Sequence, residues 1–279
     1  MKVLKFGGGC LKDVDAIKKL PNLLQRYDNK IIIVISAFGK LTNLLERIYS
    51  SKTKDFKSVL SFFKDLMAHL QFSDESINVI IEYIIDLYSS NKLTQAECLS
   101  IGELVSSKIL SLYFNQINFK HILFNASMLI QTENNGINSP IDWEATLNKS
   151  KIYEKIFSDK NHFPVLTQGF ISGSGNDKSV VSTCLGREGS DYSAAIFANI
   201  FNAEEVILFK DVNGIYSTDP KEDPSAEFFS ELSYQKAYKI CNNTNTVVHP
   251  KTINKLQEKQ IPILIRNFNN LRISGTKIH

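Results

Sequence analysis

The sequence predicts a mostly parallel α/β sandwich. Three observations carry that prediction. Short apolar runs alternate with amphipathic stretches along the chain, the pattern of successive βα units. Ile31-Ile32-Ile33-Val34-Ile35 is an unbroken β-branched run, as expected of a central parallel strand buried on both faces. Polar motifs follow the ends of the apolar runs, at Lys5, Ser36, Gly169 and Asp211, where open parallel sheets bind their ligands.

The elements follow in order. Residues 2–6 read as a strand, and 13–27 as an amphipathic helix with Val14, Ile17 and Leu20 on one stripe. The strand at 31–35 ends at Ser36-Ala37-Phe38-Gly39, and a helix follows from Thr42. Residues 55–90 read as helical. Val59, Phe62, Phe63, Leu66 and Leu70, then Ile80, Ile81, Ile84 and Ile85, recur at helical spacing and are core or interface. Another helix runs from Thr94 to Asn115, with short strands near 121–124 and 128–131. Val165-Leu166-Thr167 ends a further strand. Residues 190–202 are helical, 205–209 a strand, and the stretch to Pro224 is rich in turns. Helices near 233–241 and 249–259 precede a last strand at 261–266. There is no internal repeat. Near residue 170 long helices give way to glycine-rich loops, which divides an N-terminal lobe, 1–170, from a C-terminal lobe, 171–279.

Composition narrows the function. A chain of 279 residues with 43% hydrophobic and 22% charged content buries a sizeable core as a globular protein. A net charge of +3 without a clustered basic face argues against a nucleic-acid binder. Cys10, Cys98, Cys184 and Cys241 lie far apart, which speaks against a zinc site or a disulfide framework and fits a reducing cytosol. The start is Met-Lys before a strand, so no signal peptide is read, and no run of about 18 apolar residues predicts a membrane span. A cytoplasmic protein is expected.

The first eleven residues are the most informative. The strand Lys2 to Phe6 runs into Gly7-Gly8-Gly9-Cys10-Leu11, and Asp13 opens a helix. Glycines let backbone N–H groups approach phosphate oxygens, the helix N-terminus adds partial positive charge, and Lys5 adds a full one. The pattern is neither a P-loop nor a dinucleotide fingerprint. The second motif is Leu185-Gly186-Arg187-Glu188-Gly189-Ser190-Asp191-Tyr192. Arginine is rare, 5 of 32 basic residues, and its planar fork grips carboxylates bidentately. Asp191 near a helix start reads as an N-cap, as the partner of a lysine, or as a metal ligand.

Taken together, these segments resemble the aspartokinases, members of the amino acid kinase family. The family's Lys-Phe-Gly-Gly-Thr-Ser stands here as Lys5 to Cys10, and its Val-Ser-Ala-x-Gly-x-x-Thr-Asn-x-Leu as Ile35 to Leu45. Ser100-Ile101-Gly102-Glu103 is similar to its Ser-x-Gly-Glu, and Gly169 to Gly173 to its Gly-Phe-Ile-Gly. Leu-Gly-Arg-Gly-Gly-Ser-Asp-Tyr returns with Glu188 in place of a glycine, and Asp211 to Pro220 resembles the nucleotide motif. His249-Pro250, Pro262 to Asn267 and Gly275-Thr276 are further landmarks. The resemblance covers essentially the whole chain in order.

It implies the three-layer α/β/α amino acid kinase fold and transfer of the γ-phosphoryl group of ATP to the side chain of L-aspartate. That reaction is the first step toward lysine, threonine and methionine. Lys5 and Asp191 would be catalytic, Asp191 orienting Lys5. Gly7, Gly8, Gly9 and Ser36 would bind phosphate. Thr42, Glu103 and Arg187 would hold aspartate, Arg187 on its α-carboxylate and Glu103 on its ammonium group. Lys210, Asp211, Tyr216, Asp219 and Lys221 would form the nucleotide pocket, with Mg²⁺ bridging phosphates and no protein metal site. A homo-oligomer, a dimer, is implied, without the regulatory ACT domains of many relatives. The sequence departs from the family at Gly9 and Cys10, which replace hydroxyl residues, at Thr246, which replaces a nucleotide-binding lysine, at Lys221, and at Asn125-Ala126-Ser127. Two alternatives stand beside this reading: a kinase for another small carboxylate or amino acid, and a weakly active regulatory paralogue.

Overall fold

The computed structural model describes residues 1–28, 30–53, 55–89, 93–158, 163–176, 179–243 and 247–279. Its elements begin with β1 (Lys2–Phe6), α1 (Val14–Leu24), β2 (Ile31–Ile35), α2 (Leu41–Ser50), α3 (Lys57–His69), α4 (Asp74–Tyr88) and α5 (Gln95–Gln116). There follow β3 (Ile122–Phe124), α6 (Trp143–Ser158), β4 (Val165–Gln168), β5 (Ile171–Asn176), β6 (Ser179–Cys184) and α7 (Gly189–Ile200). The chain closes with β7 (Glu205–Lys210), β8 (Ile215–Tyr216), β9 (Phe228–Phe229), β10 (Glu231–Leu232), α8 (Tyr234–Asn243), α9 (Pro250–Gln257), β11 (Ile263–Asn267) and β12 (Thr276–Ile278).

Eight strands form one sheet in the order β10-β12-β11-β7-β1-β2-β4-β3. All pairings in it are parallel except β11 with β12. β1 lies at the centre, with Lys5 opposite Val34 of β2 and Leu208 of β7. The two lobes expected on either side of residue 170 thus share this sheet, because β7 of the second pairs directly with β1 of the first.

The two-residue period of a strand sorts side chains between the faces. Leu4, Phe6, Ile33, Ile35, Ile207 and Phe209 join the core beneath α1 to α5. Val3, Ile32, Val34, Val206, Leu208 and Ile265 join the core beneath α6 to α9. The result is the three-layer α/β/α sandwich. Phe6 and Phe209 stack across adjacent strands with centroids 4.7 Å apart. Burying a side chain of this size contributes about 1.5–3 kcal/mol.

The structure corrects several sequence readings. The helical stretch 55–90 is two helices. Gln71 takes a left-handed φ of 62°, and Ser73 then caps α4 by accepting from the Ser76 N–H at 3.3 Å. The strand expected at 128–131 is a 3₁₀ turn, Ala126–Met128, followed by the single bridges Gln131–Gly173 and Thr132–Ile141. The glycine-rich loops after residue 170 contain the antiparallel β5–β6 ribbon. α6 and β12 were not read from the sequence. The stripes of α3 and α4 serve the core through Val59, Phe63, Leu66, Ile80 and Ile84, while Val79 and Ile85 stay exposed. The four cysteines are buried thiols. Among the described residues no helix is long and apolar enough to cross a membrane.

Candidate active site

The site begins with strand register. Lys5 lies on the same face of β1 as Val3, and Lys210 on the same face of β7 as Val206 and Leu208, so both lysines point toward α7. The first turn of α7 supplies the counter-charge. Asp191 Oδ1 lies 2.6 Å from Lys5 Nζ, and its Oδ2 2.6 Å from Lys210 Nζ. Asp191 is fully buried and Lys5 only 4% exposed. Burial alone would push the Asp191 carboxyl up, but Lys210 and Lys5 outweigh it and hold the group below its usual range. Burial likewise works against the Lys210 charge, and Asp191 and Glu188 outweigh it, so this lysine is held above its ordinary value. Asp191 is therefore not the cap of α7. The cap residue is Glu188, whose carbonyl accepts from the Asp191 and Tyr192 N–H groups at 3.1 and 3.3 Å.

Above the lysines runs the glycine loop. Gly7 accepts from the Cys10 N–H at 2.9 Å, closing a turn. Among the described residues the N–H groups of Gly8 and Gly9 donate to no protein acceptor. A Cβ on Gly8 would sit 2.6 Å from the Gly39 carbonyl oxygen and 2.8 Å from that of Ala37. Only glycine fits this close crossing of the loops after β1 and β2. A Cβ on Gly9 would meet Asp211 Oδ2 at 3.4 Å, an ordinary contact. The Cys10 thiol turns away to donate to the Phe209 carbonyl at 3.2 Å, and burial pushes it up to about 11.

Helix α5 builds the opposite wall. Thr94 and Glu97 form a reciprocal capping box at its start. The helix then passes so close to the β2 loop that a Cβ on Gly102 would lie 2.9 Å from that of Ala37. Glu103 accepts from the Ala37 N–H at 3.2 Å and Ser106 from the Phe38 N–H at 3.0 Å. A helix-surface position for Glu103 is excluded: the residue is 2% exposed. Its second oxygen, Oε2, is buried without a partner among the described residues. Burial raises the Glu103 carboxyl to about 8, against the pull of the Ala37 bond and of Lys5.

These walls enclose an open cleft of about 940 Å³. It is lined by Lys5, Gly7, Gly8, Gly9, Ser36, Thr42, Glu103, Arg187, Lys210 and Asp211. Ten residues singled out from the sequence therefore converge on one space. Thr42 stands in the first turn of α2, and the Arg187 side chain is exposed to the cleft. Asp191 lies directly beneath. Tyr216, Asp219 and Lys221 do not line the cleft. Tyr216 packs edge-on against Phe228 at 5.3 Å, and Asp219 accepts from the Lys221 N–H at 3.0 Å. Thr246 lies outside the described residues.

The cleft also contains residues that the sequence reading did not place, among them Gln95, Asn138, Phe170 and Glu188. A signal for Asn138 existed. It follows Gly136 in a polar stretch, and it takes a left-handed φ of 59°, a turn conformation that asparagine favours. Lys251 lines the cleft too, with Nζ 4.6 Å from the centre of the Tyr192 ring. Burial lowers its ammonium from the usual range.

Comparison with known proteins places this arrangement. The chain matches the amino acid kinase family over residues 1–267. It is 30% identical to aspartokinase 2, chloroplastic, of Arabidopsis thaliana, over 99% of this chain and 54% of that one. It is 28% identical to the bifunctional aspartokinase/homoserine dehydrogenase of Buchnera aphidicola, over 100% of this chain and 36% of that one. The chain thus spans about a third to a half of these relatives. The crystal structure of E. coli aspartokinase III in complex with aspartate and ADP superposes with a TM-score of 0.86 at 26% identity, covering 100% of this chain and 64% of that one.

Proposed function

The chain belongs to the amino acid kinase family, and from that premise we propose that it transfers the γ-phosphoryl group of ATP to the side-chain carboxylate of L-aspartate, forming 4-phospho-L-aspartate. One observation carries the reading. A single cleft combines the two charges that recognise an amino acid with a cationic, glycine-lined site that suits phosphate. At one end the unpartnered Glu103 Oε2 suits an ammonium group, and the exposed Arg187 suits an α-carboxylate. At the other end stand Lys5, Lys210 and the free N–H groups of Gly8 and Gly9. The matched E. coli structure, a complex with aspartate and ADP, supports the same pairing of ligands.

The mechanism follows from charge. The acceptor carboxylate is ionised at neutral pH, so the reaction needs no general base. Its difficulty is the approach of two anions. Lys5 and the Gly7 to Gly9 loop neutralise charge on the transferring group, and Ser36 lines its path. Asp191 holds Lys5 in place without touching the reacting atoms. Thr42 adds a hydrogen bond to the acceptor. Lys210 and Asp211 meet the nucleotide phosphates, and Tyr216, Asp219 and Lys221 flank its nucleoside portion beyond the cleft. Mg²⁺ enters on the phosphates of ATP as part of the substrate and offsets their charge. In this reading residues up to 170 contribute most of the acceptor end and residues from 171 the nucleotide end, with Arg187 crossing over. The enzyme acts as a cytoplasmic homo-oligomer, a dimer.

The test is a hydroxamate assay with Mg-ATP and L-aspartate on wild type, Lys5→Ala and Arg187→Ala. Aspartyl hydroxamate from wild type alone is the expected result. ADP release with a different carboxylate, and none with aspartate, would replace the acceptor. Nucleotide binding without turnover of any acceptor would point to a regulatory paralogue.

A further inference from the structure

Glu188 is a charged residue of the cleft to which the proposed phosphoryl transfer gives no role. It stands in left-handed backbone, with φ 54° and ψ 24°, a conformation that glycine adopts freely and other residues adopt at a cost. The related motif has glycine here. Its side chain is about one-third exposed, and Oε2 lies 3.2 Å from Lys210 Nζ. Asp191 already sits 2.6 Å from the same ammonium, but its single negative charge is shared with Lys5, and Glu188 supplies the second. Lys5, Asp191, Lys210 and Glu188 form a chain of two cations and two anions with no net charge. This balance occurs where phosphoryl transfer calls for an excess of positive charge.

A carboxylate and a phosphate oxygen compete for the same Nζ–H groups, and at contact distance they repel each other. From this geometry we infer that Glu188 is a positioning residue that sets nucleotide affinity: it holds Lys210 as an internal competitor of the nucleotide phosphates, and the nucleotide binds by displacing it. Asp191 keeps Lys210 in place during the exchange. The exposure of the Glu188 side chain leaves it room to swing out. The inference rests on the nucleotide end of the proposed site and not on the identity of the acceptor.

The experiment is calorimetric titration of Mg-ADP into wild type, Glu188→Gln and Glu188→Gly, with separate KM values for Mg-ATP and aspartate. The glutamine variant removes charge and keeps shape; the glycine variant also removes the left-handed side chain. Both should bind Mg-ADP about fivefold more tightly, the range of a partly exposed ion pair. The KM for Mg-ATP should fall in parallel while that for aspartate stays put. Added salt should narrow the gap between wild type and variants, and the glycine variant should melt at a higher temperature than the glutamine one. Unchanged or weaker Mg-ADP binding by Glu188→Gln, or an equal shift in both KM values, overturns the inference. If no form binds Mg-ADP, the nucleotide site and this inference fall together. If Mg-ADP binds as expected but aspartate is not phosphorylated, the acceptor reading falls and this inference stands.

Discussion

The two ends of the cleft are built in opposite ways. At the phosphoryl end the charges are already paired: Asp191 binds both Lys5 and Lys210 at 2.6 Å, deep in the sandwich. At the acceptor end they are left open: Glu103 buries an oxygen without a partner among the described residues, and Arg187 reaches into the cleft with an exposed side chain. The first end is preorganised and part of the folded core. The second is completed by the substrate. Residues of one end should therefore govern both stability and turnover, and those of the other mainly acceptor binding.

Asp191→Ala is the strongest way to break this contrast. It strands the buried Lys5 ammonium and leaves Lys210 with Glu188 alone, and removing one partner of a buried pair costs about 3–5 kcal/mol. Urea unfolding should show that loss, together with a collapse of turnover. A variant as stable as wild type would mean that the paired end is not part of the fold's foundation. Arg187→Ala should do the reverse. Loss of a charge-assisted pair of hydrogen bonds should raise the aspartate KM by roughly 30- to 100-fold, about 2–3 kcal/mol, with the urea midpoint unmoved.

Glu103 sharpens the comparison through pH. Burial holds its carboxyl at about 8 in the empty cleft. A bound ammonium favours the ionised form, so at about pH 7 aspartate binding should expel a proton. Acceptor affinity should then rise as pH increases toward 8 and level off above it. Titrations in buffers of different ionisation enthalpy count the released proton, and Glu103→Gln should abolish both the release and the slope. A flat profile in wild type would place the ammonium elsewhere. The smallest effects separate neighbouring glycines. Gly9→Ser meets only ordinary contacts near Asp211 and should change stability by less than about 1 kcal/mol. Gly8→Ala must push apart two backbone loops and should cost about 1–3 kcal/mol. Equal melting temperatures for the two variants would remove the special status of the loop crossing.

Much of this arrangement was legible in the sequence. The run Ile31 to Ile35 announced a doubly buried central strand, and the first strand already put Lys5 beside the glycine loop. Gly7 to Gly9 and Arg187 stood in motifs whose residue types suit anions, with Asp191 beside Arg187 as a candidate lysine partner. What escaped depended on distant partners. The β5–β6 ribbon carries glycine and serine within a poor strand sequence, and it is held by cross-strand pairing, which local propensity does not report. α6 has weak amphipathic patterning and forms against the sheet. The break between α3 and α4 rests on one left-handed residue, Gln71.

The alternation of strands and helices, the double burial of the strand at 31–35 and the residue types gathered at strand ends belong to the chain's local pattern. These follow from local periodicity and backbone sterics. The burial of Glu103 with one oxygen unpaired among the described residues, the bridging of two lysines by Asp191 instead of a helix cap, and the position of Tyr216, Asp219 and Lys221 outside the cleft arise only when the chain folds. Burial and charge pairing depend on which distant segments meet, and no local pattern encodes that meeting.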